Sequence, residues 1–89
     1  MAQSTVSLVN RLGLHARAAA KFVHVTSRFS SQISVRHDDE EVNGKSILGL
    51  LLLAAPCGSV LTITADGDDA AEALAAVEAL IAERFGEPE

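Results

Sequence analysis

Alternation and helical spacing divide the chain into seven elements. STVSLVN (4–10) alternates polar and apolar positions and predicts a strand, with RLGL turning after it. From Ala16 to Phe29 the spacing is helical. Ala19, Phe22, Val23, Thr26 and Phe29 fall on one side, and Arg17, Lys21, His24 and Arg28 on the other. SQISVRH (31–37) reads as a second strand, DDEE as a turn and EEVNG as a short third strand. KSILGLLLL (45–53) predicts a short helix with Ser46 as its N-cap, stopped by APCG. SVLTITAD (59–66) is the last strand. From Asp69 the chain is helical again. Asp69 and Glu72 have the spacing of a capping box, Ala73, Leu74, Val77, Leu80, Ile81 and Phe85 form the apolar stripe, and Gly86 ends the helix.

The resulting order, β-α-β-β-α-β-α, predicts an α+β fold: one antiparallel sheet with helices on a single face. Strict alternation in the strands means that the other sheet face is wet. With 89 residues, the expectation is one domain spanning 1–89.

Charge changes the picture more than composition does. The net charge of −5 argues against nucleic acid as a partner, and an aromatic share of 3% leaves no stacking platform for bases. Yet residues 1–37 carry five basic residues, all three histidines and no acid, whereas all twelve acids lie in residues 38–89. A positive surface on an acidic protein suits acidic partners or anionic groups. The single cysteine, Cys57, cannot form an internal disulfide, which suits a reducing cytoplasm. The longest apolar run, ILGLLLLAA (47–55), is too short to span a bilayer, so no membrane insertion is expected.

The candidate chemistry sits in GLHAR (13–17), where His15 stands at the predicted start of the first helix. Two readings fit. In one, His15 is a surface residue or a cap for the free N–H groups of the helix. In the other it is a nucleophile. The positive end of the helix and Arg17 both disfavour imidazolium and keep a ring nitrogen free at neutral pH. Once that nitrogen carries a phosphoryl group, the N–H groups of the first turn (Ala16, Arg17, Ala18) and the Arg17 guanidinium become its ligands. His15, His24 and His37 lack metal-ligand spacing, and Cys57 has nothing to orient it as a nucleophile. Neither a metal nor another cofactor is expected.

NRLGLHARAAAKFV, then VNGKSILGLLLLAA, then GSVLTI, resemble the HPr family along essentially the whole chain. HPr proteins are histidine-containing phosphocarriers of the phosphoenolpyruvate:sugar phosphotransferase system. The resemblance implies an open-faced β-sandwich of four antiparallel strands and three helices. It implies His15 as the phosphorylated residue, through Nδ1, with Arg17 binding the phosphoryl oxygens. Enzyme I would be the donor and a IIA domain the acceptor. Ile47, Leu48 and Leu51 would face the partner, flanked by Lys21 and His24 on the basic side of the first helix. Ser46 matches the family's regulatory serine, which a dedicated HPr kinase phosphorylates in some bacteria, although an N-cap role explains that serine equally well. Transient exchange between partners suits a monomer.

Departures from the family pattern are Ala18 in place of the usual proline, Gly49, and Pro56-Cys57 in place of a lysine-bearing turn. They leave the branch open between sugar uptake and nitrogen-related regulation. A second class of function also stays open: a non-catalytic regulatory binding module that uses the apolar 47–53 helix, with Ser46 as its switch. A small hydrolase on a split βαβ topology lacks a convincing base.

Overall fold

The computed structural model describes all residues, Met1–Glu89. Its elements are β1 (Ala2–Ser7), α1 (Ala16–Thr26), β2 (Gln32–His37), β3 (Glu40–Asn43), α2 (Ile47–Leu52), β4 (Val60–Asp66) and α3 (Ala70–Ala82), followed by a single 3-10 turn, Arg84–Gly86. The strands form one antiparallel sheet in the order β1-β4-β2-β3. This is the α+β open-faced sandwich anticipated from the sequence.

The alternation explains how the sandwich closes. Ile33, Val35, Leu61, Ile63 and Ala65 point inward and are buried, while Ser34, Thr62 and Thr64 line the opposite, open face. Phe22 of α1, Leu50 of α2 and Val77 of α3 complete one apolar core with them. Burying a side chain of this size contributes about 1.5–3 kcal/mol.

Several boundaries differ from the sequence expectation. β1 starts at Ala2, because Ala2 pairs with Ala65 and Gln3 with Thr64. It stops at Ser7, although Leu8 still exchanges backbone hydrogen bonds with Ser59 and Gly58. The first helix ends at Thr26 rather than Phe29. There the Thr26 hydroxyl donates to the Gly44 carbonyl at 2.8 Å, and 3-10-type bonds tighten the exit. Phe29 leaves the helix yet still packs against the core.

The capping box at the third helix does not form. Asp69 makes no cap hydrogen bond. Its carboxylate instead accepts from the Ser30 and Ser31 amides at 2.8 and 2.9 Å and from the Ser31 hydroxyl at 2.5 Å, tying the α1–β2 connection to the start of α3. These bonds hold the Asp69 carboxyl at about 2, below its ordinary 3.8. Nor does Gly86 end α3. The helix stops at Ala82, and the chain then passes through three successive left-handed residues, Arg84 (φ 56°), Phe85 (φ 56°) and Gly86 (φ 77°). Two non-glycine residues in that region cost about 1–3 kcal/mol each. The fully buried Phe85 ring and a 2.5 Å hydrogen bond from Lys21 Nζ to the Phe85 carbonyl hold them there.

Candidate functional site

The loop between β1 and α1 is shaped by Gly13. At φ +67° it adopts a conformation that other residues avoid, and a Cβ there would lie 2.4 Å from the Ala55 carbonyl oxygen. That same oxygen accepts the Leu14 amide at 2.9 Å. The loop is thereby pressed onto the segment after α2, and His15 emerges at the N-cap of α1 with extended backbone (φ −84°, ψ −179°). The His15 carbonyl accepts the Ala19 amide at 2.8 Å, which leaves the Ala16, Arg17 and Ala18 amides at the free end of the helix.

The imidazole does not cap the helix. It turns to the other end of the chain, where its Nε2 hydrogen-bonds the Glu87 carboxylate. Asn10, fully buried, supports this contact: its Nδ2 donates to Glu87 Oε1 at 3.0 Å and to the Gly13 carbonyl at 2.8 Å. Asn10 Oδ1 has no partner, so the residue serves here through its donors. Burial pushes the Glu87 carboxyl up, but hydrogen bonds from Asn10 and His15 and the charges of His15 and Lys21 outweigh it, and the net shift is downward. Glu89 completes the clasp, accepting from the Arg11 amide and guanidinium, each at 3.0 Å.

These groups border a groove of about 670 Å³ lined by Arg11, Leu12, His15, Ala16, Arg17 and Glu87, together with the last two residues of the chain. The groove unites the predicted nucleophile with Arg17, which is exposed and makes no ion pair. Ala18, expected from the sequence to contribute an amide to the site, is fully buried and does not line the groove, because its side chain faces the core. Beside this lies a second groove, of about 400 Å³, containing Arg17, Lys21, His24 and Arg28. His24 is exposed there, whereas Lys21 is half-buried and engaged with Phe85.

On α2 the Ser46 hydroxyl accepts the Gly49 amide at 3.0 Å, forming the N-cap foreseen from the sequence. Ile47 and Leu48 are 43% and 68% exposed; Leu51 packs partly against the core. Leu12, in the RLGL turn, and Leu52, in the apolar 47–53 segment, were not singled out from the sequence and are 61% and 66% exposed. The sequence reading also missed Asn10 and Glu87. Glu87 lies 72 residues from His15, beyond the reach of any local pattern.

Comparison with known proteins is consistent across the whole chain. A family model described as "PTS HPr component phosphorylation site" matches residues 2–83. The phosphocarrier protein HPr of Neisseria meningitidis serogroup A is 47% identical over 89 residues, covering 100% of both chains. The crystal structure of HPr-C-His from Thermoanaerobacter tengcongensis matches with a TM-score of 0.96 at 46% identity, again over 100% of both chains. A crystal structure titled as an HPr dimer from the same organism matches with a TM-score of 0.79 at 47% identity, over 98% of this chain and 100% of that one. Fold, site loop and likeness agree, and the chain belongs to the HPr family, the phosphocarrier proteins of the phosphotransferase system.

Proposed function

We propose that His15 accepts a phosphoryl group on Nδ1 from phosphoenolpyruvate-charged enzyme I and passes it to a IIA domain. The observation that carries this reading is the position of His15. It stands at the N-cap of α1 without spending its ring on the cap, and it borders one groove with Ala16 and Arg17, whose amides lie at the free end of the helix. A phosphoryl group on Nδ1 gains those amides and the guanidinium as ligands for its oxygens. The exposed Ile47 and Leu48, with the basic side of α1, provide an apolar centre and a charged rim for transient docking. The protein acts in the cytoplasm as a monomer, a reading that suits the small contact area of a rapidly exchanging carrier.

Intact mass after incubation with phosphoenolpyruvate, Mg²⁺ and enzyme I tests the reading. The expected result is a gain of about 80 Da, acid-labile and absent from His15→Ala, as for a nucleophilic histidine. No gain with an active enzyme I overturns it. The exposed apolar surface of α2 would then favour a regulatory binding module, with Ser46 as its switch.

A further inference from the structure

The geometry points to Glu87 as the positioning residue that holds the proton on His15 Nε2 throughout phosphoryl transfer, with Asn10 as its support. This inference rests on His15 being the phosphoryl carrier.

In neutral imidazole one nitrogen bears the proton and the other the lone pair, and a hydrogen bond to one fixes the state of the other. Glu87 is an acceptor, so the proton it holds lies on Nε2. The lone pair is then on Nδ1, which makes no hydrogen bond within the protein. Glu87 does not swing freely: Asn10 Nδ2 grips its second oxygen, and the left-handed turn from Arg84 to Gly86, pinned by Lys21 and the buried Phe85, aims the chain at the site. A carboxylate whose side chain is only 11% exposed and which is held at both oxygens has the rigidity expected of a group that orients another.

The same proton then serves both directions of transfer. In the forward step the Nδ1 lone pair attacks the phosphorus of the donor, and the donor's bond to phosphorus breaks with its electron pair returning to the donor. The product ring carries phosphorus on Nδ1 and the original proton on Nε2, and is therefore cationic. In the return step the P–N bond breaks and its pair goes back to Nδ1. The leaving group is neutral imidazole, because Nε2 has kept its proton. A phosphorylated ring that lost that proton would have to leave as imidazolate, a far poorer leaving group. Arg17 and the amino end of α1 oppose the cationic ring. Lys21 lies beside Glu87, and the Arg11–Glu89 pair borders the same groove. Among these groups only Glu87 places a negative charge directly on Nε2.

The test uses the full-length, 15N-histidine-labelled protein phosphorylated by enzyme I. Nε2 protonation of the phosphorylated ring is followed by NMR against pH, alongside phosphoryl return to enzyme I in the presence of pyruvate. In Glu87→Gln the Nε2 proton should be lost at a pH lower by about 1 unit, the effect expected of removing an adjacent opposite charge. Above both midpoints this means about tenfold less protonated ring, and the alkaline limb of the return rate should move with it. Glu87→Asp should lie between Glu87→Gln and the original protein. Coincident curves for the original and Glu87→Gln proteins, with His15 normally phosphorylated, overturn the role of Glu87 and leave the carrier reading intact. Failure of the original protein to accept phosphate overturns both.

Discussion

Lys21 and Phe85 meet across the molecule, with the ammonium of one donating to the backbone carbonyl of the other at 2.5 Å. The contact joins α1 to the turn that delivers Glu87. Lys21→Met keeps the aliphatic stem and removes the donor. It should cost about 1–2 kcal/mol, the range of a charge-assisted hydrogen bond that is partly solvated. Urea denaturation measures the loss. Hydrogen exchange at the Glu87 amide, which donates to Arg84, should accelerate more than exchange in α1.

Gly13→Ala combines a strained φ with a clash against backbone, since the new Cβ would lie 2.4 Å from the Ala55 oxygen and 2.8 Å from Pro56. The conformational part alone is about 1–2 kcal/mol. Because the obstruction is backbone, the loop must shift and carry His15 with it. The expected outcome is a lower melting temperature together with slower phosphorylation by enzyme I. A variant that melts lower but is phosphorylated at the original rate would show that the loop shift leaves His15 in place.

Asp69 makes stability depend on acid. Its folded value of about 2 lies below the ordinary 3.8, so the folded state binds fewer protons than the unfolded chain in this range. The stabilisation is fully present above about pH 4 and is lost as pH falls through about 2. Asp69→Asn should flatten this part of the stability curve, as read from chemical denaturation at stepped pH. An unchanged acid slope would mean that the Ser31 hydroxyl and the Ser30 and Ser31 amides do not favour the charged carboxylate.

Ser46→Ala removes the acceptor for the Gly49 amide and should cost about 1 kcal/mol in thermal unfolding. Ser46→Asp restores a capping oxygen and should recover most of that loss. If slower transfer accompanies Ser46→Asp but not Ser46→Ala, charge beside the apolar surface of α2 is the cause, and cap loss is not.

Leu48 is 68% exposed, so Leu48→Glu should change folding stability by less than about 0.5 kcal/mol. It should slow phosphorylation by enzyme I at low protein concentration, with the difference narrowing as concentration rises. Unaltered kinetics would remove α2 from the docking surface.

Periodicity in the strands and helices was legible because burial on one face imposes it: the alternation around Leu61 and Ile63 and the spacing of Ala73, Leu74, Val77 and Ile81 are direct imprints of the core. The placement of His15 and Arg17 at the start of α1 was legible because the helical spacing begins directly after GLH. Element ends were less so. Ala2 and Gln3 have weak strand character, and only pairing with β4 makes them strand. Asp69 has the spacing of a cap, but the amides and hydroxyls of Ser30 and Ser31 in the α1–β2 connection take its carboxylate. Glu87 was invisible because FGEPE reads locally as a helix stop, whereas its partners lie at the other end of the chain.

The clasp of the final residues around Arg11 and His15 also bears on how this protein can be handled. Anything joined after Glu89, whether a purification tag or a fused reporter, would begin at the rim of the groove that holds the imidazole. Met1 is 92% exposed and opens β1 at the end away from the His15 loop. Attachments belong on that side of the sheet, where they leave the mouth of the groove clear.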